Sequence, residues 1–218
     1  MISISAGIKD IFPAICIGYL SGTVVNGENH PDVWNLIQEH SKKIIVTLDL
    51  ESIRQVEGIR VGKMAYRQLG KDPNRYRLSA EALMRRLVKG QELYRINTVV
   101  DILNLVSLQS GMTIGGFDLA LIRGDIELGI GKPDDEFEAI NRGMMNVSQL
   151  PVYRDEAGVI GSPTSDCMRT RILTGTRSIL MLITGFYGPD LVQPVLNQLQ
   201  HLYLRYSAMK DSHSGIIQ

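Results

Sequence analysis

The chain has 218 residues, enough to bury a substantial core in one large domain or two small ones. With 44% hydrophobic residues, 21% charged residues and a formal net charge of zero, extended disorder and indiscriminate binding to polyanions are both excluded. The longest apolar run, Ser178 to Phe186, is strand-sized, and the first twenty residues lack the pattern of a secretory signal, so a cytoplasmic protein with no membrane partner is expected.

Phe12 to Val25 reads as one or two strands, apolar and β-branched, broken by Gly18 and Gly22. Gly27 and Asn29 mark a turn. Pro31 then takes the first-turn position of a helix carrying Val33, Trp34, Ile37 and His40. Ile44 to Leu48 fits either the continuation of that helix or a strand. Ile53, Val56, Ile59, Met64 and Leu69 approximate helical spacing up to Gly70, although Gly58 and Gly62 lower the propensity. A basic linker, Lys71 to Arg77, leads to Ser79, a good N-cap for a helix through Lys89. Asn97 caps the next helix, whose apolar stripe is Val99, Ile102, Leu103 and Val106.

Past Gly111 the period becomes that of strands: Leu119–Ile122, Ile126–Ile130, Val152–Asp155, Val159–Ile160, Arg171–Leu173 and Ile179–Thr184, with Gly-rich turns between them. Gly188-Pro189-Asp190 opens a last amphipathic helix with Leu191, Val195, Leu199, Leu202 and Tyr206 along one stripe. The tail after Ala208 is expected to fray. Helices first, strands second and a closing helix make an α+β chain rather than an alternating one.

Charge is unevenly placed. Ten cations lie between Arg60 and Arg95, among them Lys63, Arg75, Arg77, Arg85 and Arg86, against Asp72, Glu81 and Glu92. From Asp118 to Glu138 the balance reverses. A basic lobe of this kind either grips one anionic partner or is a solvated helix face. Cys16 and Cys167 are far apart and in no ligand spacing, which fits a reducing compartment and packed thiols. The four histidines form no zinc motif, so no metal is expected. There is no Walker loop, and Gly115-Gly116 follows a helix where a dinucleotide fingerprint would precede one, so no nucleotide cofactor is expected either.

Asn97, Asp101 and Asn104 recur at spacings that place them on one face of an otherwise apolar helix. Buried unpaired, each would cost about 1–3 kcal/mol, so they either clamp backbone or line a pocket. They are expected to be buried and bonded across to the Gly115–Asp118 segment. A second candidate is the loop from Gly158 to Asp166, in which two glycines (Gly158, Gly161) precede Ser162, Thr164, Ser165 and Asp166. Its donors suit a carbonyl, phosphate or ribose, while Asp166 also suits a turn cap. Arg169, Thr170 and Arg171 follow, placed to meet a phosphate.

Taken in order, Ser79-Ala80-Glu81-Ala82-Leu83 with Arg85-Arg86, Ile96 to Asn104, Gly115-Gly116-Phe117-Asp118, Gly124-Asp125-Ile126 and the Gly158–Asp166 loop resemble the B3/B4 module of the phenylalanyl-tRNA synthetase β subunit. The resemblance is closest to free-standing proteins made of that module and covers 76–185. It implies a layered α+β fold, with 1–70 packed on that core and a closing helix at 189–207, all as one domain of residues 1–218. It implies tRNA or aminoacyl-tRNA as partner and an editing pocket framed by Asn97, Asp101, Asn104, Gly115, Gly116, Asp118, Gly158, Gly161 and Ser162. Thr164, Ser165 and Asp166 would polarise or position water, and Arg75, Arg77, Arg85, Arg86 and Arg169 would meet RNA. The synthetase has a histidine two residues before the Phe-Asp pair, where this chain has Gly115. The implied activity is that of a trans-acting deacylase; a non-catalytic tRNA-binding module and an amino-acid sensor are the alternatives.

Overall fold

The computed structural model describes residues 1–218. In chain order the elements are β1 (Ile2–Ile4), α1 (Ala6–Ile11), β2 (Cys16–Thr23), α2 (Pro31–Thr47), α3 (Glu57–Gln68), α4 (Ser79–Val88), α5 (Thr98–Ser110), β3 (Ile114–Asp118) and β4 (Ile126–Ile130). They continue with β5 (Glu138–Ala139), β6 (Gly143–Met144), β7 (Pro151–Asp155), β8 (Gly158–Ser162), β9 (Ser165–Asp166), β10 (Ser178–Gly185), α6 (Val192–Tyr206) and β11 (Lys210–Ile217).

The fold is α+β and layered. One sheet runs β1-β4-β7-β8-β9, another β11-β2-β10-β3, and β5-β6 form a small hairpin. β10 shows why the layers stack. It is apolar on both faces, and its side chains alternate between two cores. Ile179, Met181 and Ile183 pack with α2, α5 and α6. Leu180 and Leu182 pack with Phe117, Leu128, Tyr153 and Ile160 between the two large sheets. A third core joins Ile59 and Tyr66 of α3 to Leu78, Met84, Phe137 and Val152. The order is therefore helices, sheet, sheet, with α3 and α4 at one flank.

Several local expectations hold for stated reasons. Pro31 opens α2 with the His30 ring accepting from Asp32 N–H, and Ile44 is buried, so Ile44 to Thr47 continues the helix. Asn97 caps α5 through Val100 N–H, and left-handed Gly111 (φ 71°) ends it. Others are corrected. Leu78, not Ser79, is the N-cap of α4. β2 passes unbroken through Gly18, whose missing Cβ lets Val192 of α6 lie against the strand. Leu119–Leu121 is a 3-10 turn capped by Asp118, and the strand lies one step earlier, so Gly115-Gly116 is strand, not loop, paired with Leu182 and Met181. Arg171–Leu173 is irregular. Leu173 N–H donates to the Thr176 hydroxyl, which donates to Asp118 Oδ2 at 2.6 Å. The C-terminal tail does not fray: β11 pairs antiparallel with β2 and satisfies what would otherwise be that strand's open edge. β1 and α1 were not anticipated; β1 pairs parallel with β4.

Candidate functional site

A cavity of about 400 Å3 opens between α4, α5, β3, the β8–β9 turn and the tip of the β5–β6 hairpin. Val100 and Leu103 of α5 give it an apolar wall, and Ser162, Thr164, Ser165 and Asp166 a polar one, with Asn104 half-buried on α5. The expected loop is in fact a β-hairpin, β8–β9, and only its far end, from Ser162, faces the cavity.

Asp166 is the chemical centre of this arrangement. Gly116 N–H donates to its Oδ2 at 3.1 Å. Burial pushes the carboxyl up to about 7, and the Gly116 N–H offsets only part of that. The glycines around it explain how a carboxyl fits there. A Cβ at Gly161 would sit 2.9 Å from Asp166 Oδ1 and 2.9 Å from the Phe117 ring; one at Gly115 would meet the same ring at 2.9 Å and Oδ1 at 3.4 Å. A side chain at 115, histidine included, would compete with Asp166 for this space.

Thr164 is held from outside the cavity. Its hydroxyl hydrogen bonds the buried Tyr66 hydroxyl at 2.9 Å, and its N–H donates to Ser162 Oγ at 3.2 Å. α3 thereby fixes the Thr164 rotor, a connection with no sequence signal. Burial pushes the Tyr66 phenol up, so it stays protonated.

The remaining expected residues are dispersed. Asn97 is a helix cap whose Nδ2 donates to Ile172 C=O at 3.4 Å. Asp101 is fully buried but turns toward α2: Trp34 Nε1 (2.6 Å), Asn29 Nδ2 (2.8 Å) and Ile96 N–H (3.1 Å) donate to it. Burial raises its pKa, and those donors partly offset the rise. None of the three helix residues bonds to the Gly115–Asp118 segment, which corrects that expectation. Asp118 ties Ala120 and Thr176, and Gly158 (φ 120°) lies at the β7–β8 turn, so neither lines the cavity. Gly115 and Gly161 seat Asp166 and Phe117 without lining it.

The expected RNA-binding arginines are largely engaged. Arg169 makes a two-pronged pair with buried Asp155 (2.7 and 3.0 Å), so it is not free for phosphate. Burial raises the Asp155 pKa, but Arg169 and two backbone N–H groups hold it below the usual range. Arg85 reaches Glu81 at 3.8 Å and Leu50 C=O at 3.5 Å. Arg86 donates to Glu92 C=O and stacks on Tyr94, Arg75 lies over the Tyr76 ring, and Arg77 is half-buried. The sequence reading missed Arg142, Asn141 and Thr113 on the cavity lining.

A second groove of about 450 Å3 lies between α2 and the 90–95 segment, but its charged groups Lys42, Glu92 and Arg95 are all exposed. It offers no enclosed acid or base, and the chemistry is assigned to the Asp166 cavity. No group of three or more His, Cys, Asp or Glu side chains is placed to hold a metal ion, and no helix is long and apolar enough to cross a membrane.

The packing gives a prediction. Gly161→Val should push on both Phe117 and the Asp166 carboxyl and lower stability by about 1–3 kcal/mol, read from urea unfolding. An unchanged midpoint would show that the hairpin shifts freely. The fully buried Phe117 ring leaves no room for a larger residue here, so the substitution strains the core rather than simply filling the cavity.

A mixed α+β chain with this order of elements matches the family model "B3/4 domain" over residues 62–205, and the chain belongs to that family. The match extends beyond the expected 76–185 to take in most of α3 and nearly all of α6. Among solved structures the chain is similar to an N-terminal fragment of the phenylalanyl-tRNA synthetase β subunit from Pyrococcus horikoshii, with a TM-score of 0.49 and 14% identity over 99% of this chain and 50% of that one. The chain thus spans about half the length of that fragment. Against curated proteins the sequence finds no match.

Proposed function

We propose that this B3/4 protein is an aminoacyl-tRNA deacylase acting in trans, with residues 1–218 working as one unit. The observation that carries the reading is Asp166, an enclosed carboxyl that titrates near neutrality beside three hydroxyl side chains in a cavity large enough for an aminoacyl group. As carboxylate, Asp166 takes a proton from water while the water oxygen attacks the ester carbon. The bond from that carbon to the ribose oxygen then breaks, and the ribose oxygen takes up a proton, leaving free amino acid and tRNA. In this reading Thr164, with its rotor held by Tyr66, and Ser165 polarise the carbonyl or orient the water. Support for one unit comes from β1 and β2, which lie in sheets built with strands of the family-matching region.

The test is a deacylation screen against mischarged tRNAs, with tRNA and free amino acids titrated in parallel. The expected result is ester hydrolysis above the spontaneous rate for a subset of amino acids. Tight tRNA binding with no hydrolysis would make the protein a binding module. Free amino-acid binding with no tRNA affinity would make it a sensor. Neither rival needs a carboxyl held near its titration point, which favours the hydrolytic reading.

A further inference from the structure

The cavity has a second chemical feature opposite in sign to Asp166. Arg142, at the tip of the β5–β6 hairpin, and Arg171, in the segment after β9, both line it. Two other arginines of the β7–β9 region are paired with carboxylates: Arg169 with Asp155 and Arg154 with Asp135 at 2.5 Å. Arg142 pairs with no carboxylate and is exposed. Arg171 has no carboxylate partner either, and only its Nη1 is used, weakly, on Met168 C=O and Sδ at 3.4 Å.

Both are presented by fixed backbone. Asn141 (φ 58°) and Gly143 (φ 69°) take left-handed conformations that fold the hairpin tip back, and Ile140 N–H donates to Asp166 C=O at 3.0 Å. Arg171 lies between Thr170 and Ile172, both buried, and Asn97 holds the Ile172 carbonyl.

We infer that Arg142 and Arg171 form an oxyanion subsite at the rim of the Asp166 cavity, and that its occupant is the phosphodiester preceding the esterified nucleoside. The inference rests on the deacylase reading. Guanidinium groups suit phosphate and carboxylate oxygens alike. In the ester the α-carboxylate is consumed, so a carboxylate occupant would come only from a free amino acid or from an acidic side chain, whereas every RNA-linked ester carries the phosphodiester. A phosphodiester lies one nucleoside from the scissile carbonyl, which places it outside a cavity of about 400 Å3 and beside an exposed arginine. The subsite then makes the enzyme selective for RNA-linked esters over amino acids and simple esters.

The experiment is calorimetric titration of the wild type, Arg142→Gln, Arg171→Gln and the double variant with three sets of probes. These are puromycin-type aminonucleosides carrying Leu, Met, Phe or Tyr side chains, their cytidylyl phosphodiesters, and the free amino acids. The expected result is that the phosphodiester improves wild-type affinity by at least about tenfold. The double variant should lose that gain, so that it binds a cytidylyl compound and the matching plain nucleoside about equally. Thermal melts check that the variants fold. If cytidylyl compounds bind equally to all four proteins, the subsite is overturned and the deacylase reading stands. If only free amino acids bind, and the arginine variants lose them, the pair holds a carboxylate, and both the phosphodiester assignment and the deacylase reading fall. Binding of no probe overturns both.

Discussion

Asp166→Asn is expected to lower turnover of a susceptible aminoacyl-tRNA by about 10²–10⁴-fold, the usual contribution of a positioned general base. The same substitution should stabilise the fold at alkaline pH. The carboxyl sits near 7 in the folded protein against an ordinary value of 3.8, so the native state keeps a proton that the unfolded chain has lost. Across that window the native state binds more protons, and stability falls as pH rises. About three pH units at 1.36 kcal/mol each set an upper bound of about 4 kcal/mol, fully lost above the folded value. Asparagine cannot ionise, and its carbonyl can still accept from Gly116 N–H. Urea unfolding at about pH 5 and about pH 8 should therefore show a stability drop in the wild type that shrinks in the variant. Wild-type turnover, corrected for spontaneous ester hydrolysis, should rise through a midpoint near 7, because the base acts as carboxylate. A variant with full turnover would remove Asp166 from the chemistry. A variant with unchanged pH dependence of stability would mean that the carboxyl is not enclosed.

What the sequence disclosed follows from how far each signal reaches along the chain. β10 was legible because both its faces are buried, leaving an uninterrupted apolar run, and α2, α5 and α6 because one stripe of each meets that sheet. β11 was not legible. Lys210-Asp211-Ser212-His213-Ser214 is polar and mostly exposed, and what makes it a strand is the edge of β2, distant in sequence. In the site, the hydroxyl and carboxyl cluster at Ser162 to Asp166 was visible as composition, and its far end does line the cavity. The helix face was misjudged. Spacing placed Asn97, Asp101 and Asn104 together, but Asn97 as cap lies half outside the helix and turns back on Val100. Asp101 is drawn aside by the Trp34 indole, which no local pattern reveals. Arg142 was hidden because two-residue strands carry no periodicity.

The charge pattern was misleading in one further respect, and that misreading yields the largest stability prediction. Lys63 and Glu81 were counted as opposing members of a basic surface lobe. In the fold both side chains are 3% exposed, and Lys63 Nζ donates to both Glu81 oxygens, at 3.0 and 3.1 Å. The pair joins α3 to α4, with Arg85 at 3.8 Å from the same carboxylate. Glu81→Ala strands a buried ammonium and should cost about 3–5 kcal/mol, and Lys63→Ala, which leaves the carboxylate only Arg85 at 3.8 Å, should cost less, toward about 3 kcal/mol. Replacing both by apolar residues of similar length, Lys63→Met with Glu81→Leu, removes the desolvation problem and should cost far less than the sum of the single changes. α4 carries Ser79, Ala82 and Leu83 on the cavity wall, so the single variants should also weaken substrate binding as that helix loosens. Equilibrium unfolding of the two alanine variants and the apolar double variant reads the effect. If each alanine change costs less than about 1 kcal/mol, water reaches the pair and it behaves as a surface salt bridge.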